Sequence, residues 1–326
     1  MVEDLYDMKI LIVASYNRNR FAPFIEEQVA ALQKLGCEIE YFGLQGKGLK
    51  GYLKNLPDLK KKIKEFNPDI VHAHFGLSGL FANLQRQKPV VTTYHGSDIN
   101  ESNLLPFSKL AMRWSAWNVF VSKQTMDVVR PRRKFSLLPC GIDINELQLM
   151  DRSEARQKMH LTQGKHYVLF AGSYDREVKN APLAKEVVSR LPEKNIELLE
   201  LKGYSHEEVI MLLCAVDALL MTSLNEGSPQ VVKEAMACGC PIVSVDVGDV
   251  YERTHGVEGC YVAKTFESVE LADLLTKALA FSGKTDGRNR IINDKLDNKL
   301  VATSLMDIYM KVTRSENNYE RTCVEL

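Results

Sequence analysis

The 326-residue chain has no apolar run approaching the ~20 residues needed to cross a bilayer. It has no Cys-x-x-Cys pair, and its seven cysteines form an odd, scattered set. That is the usage of reduced thiols in a cytoplasm, not of a disulfide scaffold. Neither sign of charge is in excess, with 42 Lys and Arg against 42 Asp and Glu, whereas a dedicated nucleic-acid binder is usually basic overall. The first residues, Met1 to Asp7, are acidic and show no signal-peptide pattern. No internal repeat and no low-complexity tract is visible. What remains, 45% apolar and 26% charged residues, is the mix of an ordinary soluble globular protein, and it excludes disordered, collagen-like and coiled-coil chains. At roughly 150 residues per domain, the length predicts about two domains.

The charge is unevenly spread. Residues 1–145 hold 20 Lys and Arg against 14 Asp and Glu, and the remainder holds 22 against 28. A basic half joined to an acidic half suggests a different partner for each. The basic half contains Lys60, Lys61, Lys62 and Lys64, then Arg130, Arg132, Arg133 and Lys134. Such surfaces suit anionic lipid or a charged acceptor, and equally a solvated helix face. Cys238 and Cys240 are one residue apart with no His-rich partner after them, so they read as small buried residues, not metal ligands.

Strand and helix patterns alternate almost throughout. Apolar runs predict parallel strands at Lys9–Ala14, Glu38–Phe42, Ile70–His74, Val90–Tyr94 and Asn118–Val121, with helical periodicity between them, as from Pro23 to Leu35. After a polar stretch, Asp143 to Lys165, the pattern restarts. Strands are expected at His166–Ala171, Glu197–Leu201, Ala218–Thr222 and Pro241–Val245. Helices are expected at Pro182–Arg190, His206–Ala215 and Gln230–Cys238, and the segment from Glu267 to Val312 reads as helical. The series predicts two α/β domains in tandem, residues 1–150 and 151–300, each a parallel sheet covered by helices. Open parallel sheets bind ligands beyond the carboxyl ends of their strands, so the loops after strands are where chemistry is expected.

The most informative loop is Asn225-Glu-Gly-Ser-Pro-Gln-Val-Val-Lys-Glu-Ala-Met-Ala-Cys-Gly239. Ser228 suits an N-cap and Pro229 a first helical turn. A helix start offers free N–H groups and a positive dipole end, which attract phosphate. Glu226 in the loop and Glu234 one turn into the helix accept hydrogen bonds and so suit sugar hydroxyls. Phosphate plus polyol reads as a nucleotide sugar; surface solvation is the alternative for both carboxylates. The first βα loop, Ser15-Tyr-Asn-Arg-Asn-Arg20, lacks Gly-x-Gly-x-x-Gly, which weakens a dinucleotide-dehydrogenase reading. His72 and His74 point to one face of a strand, and such a pair can bind a metal.

The 225–239 block resembles the Glu-x7-Glu region of the family 4 glycosyltransferases. The likeness extends to Asp69-Ile-Val-His-Ala-His74, Tyr94-His-Gly-Ser-Asp98, Val121-Ser-Lys123, Leu138-Pro-Cys-Gly-Ile-Asp143, Phe170–Lys179 and Asp246–Glu252. The resemblance implies the GT-B fold: two tandem Rossmann-like, doubly wound domains facing across a cleft, with a helix at about 300–316 packing back on the first. It implies a retaining transfer of a hexose-type sugar from a nucleotide diphosphate to a glycan or lipid-linked acceptor, in surface polysaccharide or glycolipid synthesis. Glu226 then contacts the sugar hydroxyls, Glu234 the nucleotide ribose and Lys179 the diphosphate. Gly227, Ser228 and Pro229, with the adjoining Gln230, line the sugar and phosphate site, and Gly203 and Tyr204 lie near the base. His95 sits near the reacting sugar, making His95, Lys179 and Glu226 the expected catalytic set. Asn17, Arg18 and Arg20 belong to the acceptor side. Asp98 either orients the acceptor or caps the next segment.

One departure stands out. Where the family usually has Arg after the loop glycine, this chain has Ser173, and Arg176 is three residues further on. No Asp-x-Asp occurs, so no metal or other cofactor is expected. The expected location is cytoplasmic, with peripheral contact at the inner face of the membrane and no nucleic-acid partner. The competing readings are a nucleotide-sugar epimerase of the same fold and a metal-dependent hydrolase using His72 and His74.

Overall fold

The computed structural model describes residues 6–17, 19–193 and 195–324. The chain forms two compact units: residues up to Gly141 together with those from Asn298 on, and Ile142–Asp297. The first division falls after Gly141, not after residue 150, because the following segment is tied to the second unit. Ile142 N–H donates to the Leu296 carbonyl at 2.9 Å, Arg288 Nη2 donates to the Ile144 carbonyl at 2.9 Å, and both isoleucines enter that unit's core.

In the first unit six strands, β1 (Lys9–Ser15), β2 (Glu38–Leu44), β3 (Ile70–His74), β4 (Val90–Tyr94), β5 (Trp117–Phe120) and β6 (Phe135–Leu137), form a sheet of order β2-β1-β3-β4-β5-β6. Every pairing is parallel, with Ile10 opposite Ile70 and Val71 opposite Val90. β3 and β4 are buried along their whole length, as apolar runs covered on both faces should be. The order reverses between β1 and β3, which brings the loops after these strands together at the switch point. The helix Gly76–Asn83 follows β3, and a Cβ added at Gly79 would lie 2.4 Å from Thr92 Cγ2 on β4. Glycine is required there by contact, which draws the helix close against the sheet.

The second unit repeats the plan with β7 (His166–Phe170), β8 (Ile196–Glu200), β9 (Ala218–Met221), β10 (Ile242–Val245) and β11 (Cys260–Ala263), all parallel in the order β11-β10-β9-β7-β8. Its switch point lies between β7 and β9, where the Gly172 and Glu226 loops emerge.

β6 and β11 were absent from the expected pattern. β6 has only three residues, none of them buried, so it carries no apolar run to read. The polar stretch before β7 holds a helix, Arg152–Lys158, capped by the Asp151 carboxylate accepting from Ser153 N–H at 3.0 Å. The expected C-terminal helical segment is three helices, Ser268–Leu279, Gly287–Asn293 and Asn298–Val324. Gly283, at φ +94°, breaks the first from the second. The last helix buries Leu305, Met306, Ile308, Tyr309 and Val312 among Ile10, Ile12 and Leu32 of the first unit, each such side chain stabilising by roughly 1.5–3 kcal/mol. Among the described residues no helix is long and apolar enough to cross a membrane.

Candidate active site

In the second unit the loop after β7 runs into a short 3₁₀ turn, Glu177–Lys179, that presents Lys179. Two contacts fix this turn against the loop after β9. Leu224 N–H donates to the Val178 carbonyl at 2.8 Å, and Thr222 Oγ1 lies 3.0 Å from the carbonyls of both Lys179 and Asn180. The Lys179 stem lies across Gly172, where an added Cβ would meet its Cγ at 2.7 Å. The ammonium reaches Glu226, Nζ to Oε1 at 2.6 Å, with only 11% and 18% of the two side chains exposed. Forty-seven residues apart in sequence, these groups form one nearly enclosed ion pair.

The helix Gln230–Cys238 starts directly after Pro229, which is its N-cap. Ser228 does not cap it as expected; its hydroxyl donates instead to Asp249 Oδ2 at 2.8 Å. Asp249 is 1% exposed and its other oxygen has no hydrogen-bond partner. The Gly248 turn before it, at φ +62°, presses on Gly227, where a Cβ would lie 2.4 Å from the carbonyl oxygen. With Ser228 engaged elsewhere, no side chain caps the helix start, and its first turn has no acidic residue. Glu234 is 9% exposed, and His206 Nδ1 lies 3.6 Å from its Oε1. His206 opens the helix that follows Gly203 and Tyr204, and Ser205 and Glu208 hold that start in a capping box. The segment after Gly203 and Tyr204 and Glu234 therefore come together through a histidine that the sequence did not single out.

Ser173 stands in an acidic corner. Its hydroxyl faces the carboxylates of Asp175 and Glu200, at 2.9 Å for Glu200 Oε1, and Glu200 also accepts from Tyr174 N–H at 2.6 Å. Lys202 pairs with Asp175, Nζ to Oδ2 at 3.0 Å. Arg176 is exposed. Lys179, by contrast, is buried and paired with Glu226.

In the first unit His95 follows β4, and its backbone N–H donates to Asp98 Oδ1 at 3.0 Å. Gly96 N–H donates to the same oxygen at 3.0 Å, and Gly76 N–H to Oδ2 at 2.8 Å. Asp98 is 2% exposed, and burial pushes its carboxyl up to about 6 despite these donors. Both oxygens accept backbone N–H bonds, so Asp98 clamps the His95 turn to the start of the Gly76 helix. Asn17 is likewise engaged. Its amide donates to the Gly46 carbonyl at 2.9 Å and accepts from Gly46 N–H at 2.8 Å, stapling the loops after β1 and β2. Arg20 is exposed and lines a cavity of about 430 Å³ with Phe21, Pro23 and Phe75. Arg18 lies outside the described residues.

The His95 ring is held by aromatic neighbours. Phe24 and Phe75 lie at centroid distances of 4.6 Å, and His74 stacks at 5.3 Å. His95 Nε2 and His74 Nδ1 are 3.0 Å apart, and Cys140 Sγ is 3.9 Å from His95 Nδ1. Phe75 adopts φ +73° and ψ +147°, a region occupied almost only by glycine. Its N–H bond to the Thr93 carbonyl at 2.8 Å and its carbonyl's bond from Gly79 N–H at 2.9 Å hold it there.

His72 and His74 do not form a metal site. His72 Nε2 meets Thr93 Oγ1 at 2.8 Å and its Nδ1 meets Tyr309 OH at 2.6 Å, so both ring nitrogens are taken. Burial lowers both imidazoles, His74 to about 3 and His72 well below its ordinary value, where the neighbouring His74 and His95 add to the effect. Both are neutral packing groups under His95, and among the described residues no group of three His, Cys, Asp or Glu is placed to hold a metal.

Comparisons with known proteins fit this geometry. The model of Glycosyltransferase Family 4 matches residues 26–146, and that of Glycosyl transferases group 1 matches residues 168–280. The chain is 26% identical over 246 residues to a Bacillus subtilis protein named for teichuronic acid biosynthesis, the glycosyltransferase TuaC, covering 66% of this chain and 62% of that one. It is 24% identical to N-acetyl-alpha-D-glucosaminyl L-malate synthase of Bacillus anthracis over 77% of each. It is 25% identical to the amylovoran biosynthesis glycosyltransferase AmsK of Erwinia amylovora, covering 66% of this chain and 62% of that one. The chain thus spans less than two thirds of the length of TuaC and AmsK. Among solved structures, sucrose-phosphate synthase from Thermosynechococcus elongatus superposes with a TM-score of 0.78 at 15% identity, over 94% of this chain and all of that one. Anabaena Alr3699/HepE, solved with UDP, gives 0.64 at 18%, over 98% of this chain and all of that one. The fold is therefore GT-B, with two Rossmann-like domains.

Proposed function

This chain belongs to the family 4 glycosyltransferases, and from that premise we propose that it moves a hexose-type sugar from a nucleotide diphosphate to a hydroxyl of a glycan or lipid-linked acceptor. The observation that carries the proposal is the enclosed Lys179–Glu226 pair. A buried pair is costly to break by removing one partner, because the other charge is left uncompensated. A bound diphosphate would draw the ammonium of Lys179 to itself and free Glu226 to accept hydrogen bonds from the sugar. The positive end of helix Gln230–Cys238, which no side chain caps, would supply further anion stabilisation. The leaving charge is met by these groups, so no metal ion is needed.

Transfer with retained configuration follows if the new bond from the acceptor oxygen to the anomeric carbon forms on the face from which the phosphate oxygen departs. The acceptor proton then passes to that departing oxygen. His95, oriented by Phe24, Phe75 and His74, fixes the sugar. Arg20 in its apolar cavity suits an acceptor with both an anionic and an apolar part. Anabaena HepE has been solved with UDP-glucose, which favours a uridine nucleotide, and the names of TuaC and AmsK favour polysaccharide synthesis.

The test is product analysis. A thermal-shift panel of nucleotide sugars selects the donor, and nuclear magnetic resonance then follows donor and acceptor together. The expected outcome is one nucleoside diphosphate released per sugar transferred, with the donor's anomeric configuration in the product. Donor conversion without an acceptor would favour the epimerase reading instead.

A further inference from the structure

A further cavity of the first unit lies away from every loop described above. It opens at the amino ends of β4, β5 and β6, has a volume of about 860 Å³, and is lined by Arg86, Lys88, Arg113, Arg133 and Lys134 with Trp114. No Asp or Glu lines it. Among the described residues none of the five cations makes an ion pair, and Arg86 rests on the Trp114 indole at 4.7 Å. Five like charges around one concavity repel one another, and a low-dielectric wall focuses their field on whatever anion enters.

The cations are held in place by buried polar side chains rather than left on free loops. Gln85, 2% exposed, accepts from Gln87 and Lys88 N–H at 2.6 and 2.9 Å and donates to the Lys88 carbonyl at 2.6 Å. Asn83 bonds Ser115 Oγ at 3.0 Å, and Ser115 bonds back to the Ala111 carbonyl at 2.9 Å, fixing the end of the helix that carries Arg113 and Trp114. Asn118 donates to the Met112 carbonyl at 3.1 Å, and its N–H donates to the Lys134 carbonyl at 2.9 Å. Arg86 and Lys134 both sit at positive φ, +58° and +56°, a conformation that costs free energy unless the surroundings impose it. A pre-organised wall loses little entropy on binding.

We propose that this cavity is a second anion site that takes a phosphate-bearing group and is separate from the Lys179 loops. Three arginine forks and two ammonium groups match the several oxygens of a phosphate or pyrophosphate. The same chemistry is offered by a phospholipid headgroup and by a soluble phosphate. One face of Trp114 is already covered by Arg86, which disfavours a stacked nucleic-acid base.

Only two tryptophans occur, Trp114 and Trp117, so a Trp117→Phe background makes Trp114 a local reporter. Its fluorescence is titrated with pyrophosphate, with phosphatidylcholine vesicles, and with vesicles that also contain phosphatidylglycerol. A saturable change with phosphatidylglycerol vesicles alone identifies a headgroup; a change with pyrophosphate identifies a soluble phosphate. In either case the triple variant Arg86→Gln, Arg113→Gln, Arg133→Gln should bind at least tenfold more weakly at unchanged melting temperature, and Lys179→Ala should bind like the parent. If the triple variant does not fold, Arg113→Gln and Arg133→Gln singly should each weaken binding severalfold. No response to either anion, equal binding by the folded variants, or loss of the response in Lys179→Ala would each overturn the proposal.

Discussion

Lys179 and Glu226 act through each other, and the residue that lets them do so is a glycine. Gly172 leaves room for the lysine stem; an alanine there would place Cβ 2.7 Å from Cγ and 2.8 Å from Cδ. The side chain is flexible enough to move aside, so Gly172→Ala should fold but carry its ammonium away from Glu226. Losing one preorganised charge contact in such a site typically costs about 10²–10³ in turnover. The expected outcome is a loss near that size with a melting temperature close to the parent's. Near-normal turnover would show that the stem position is unimportant. Glu226 and Glu234 stood out in the sequence as candidates because they fall within one contiguous block. The roles of Asn17 and Asp98 were not. The partner of Asn17 is Gly46, on another loop, and Asp98 is satisfied by Gly76 as well as by its own turn; no local pattern announces either contact. Ser173 was visible as a departure, but the carboxylates around it, Asp175 and Glu200, come from two different segments.

At the scale of elements, β3 is held between β4 and the last helix, Asn298–Val324, by His72, which bridges Thr93 and Tyr309. This makes the first unit sensitive to acid. His74 titrates at about 3 when folded and near 6.5 when unfolded. Between these values the unfolded chain binds the extra proton, so the group stabilises fully above pH 6.5 and that stability is lost as pH falls toward 3. Asp98 works the other way: its folded value of about 6 means that the folded state takes up a proton first on acidification. Comparing the parent with His74→Gln cancels Asp98 and every other shared group. The stability of the parent relative to the variant should fall by about 1.4 kcal/mol per pH unit below pH 6. Urea midpoints measured between pH 7 and 4 check this; a constant difference would mean that His74 is not buried neutral. The strands with long apolar runs were readable from sequence, and their ends fell within a residue or two. β6, with three residues and no buried side chain, was not. The strained Phe75 was also invisible, because its backbone angles are imposed by Thr93 and Gly79 from neighbouring elements.

Across the whole molecule, two sheets of the same winding carry different chemistry. The first unit collects basic surface and the ring-packed His95; the second sets the enclosed Lys179–Glu226 pair beside a helix start that no side chain caps. The tandem α/β plan was legible because hydrophobic runs and helical periodicity alternate twice. The point of division was not, because the segment after Gly141 is polar and is assigned only by its bonds to Leu296 and Arg288. Everything proposed about transfer depends on Lys179 gripping the diphosphate of the donor, and calorimetric titration of the nucleotide sugar into the parent and into Lys179→Ala tests it most directly. The parent should bind saturably and, at a hundredfold excess over Kd, gain about 2.7 kcal/mol of stability, while Lys179→Ala should bind at least tenfold more weakly. Equal affinity in the two proteins would contradict the assignment of the diphosphate to Lys179.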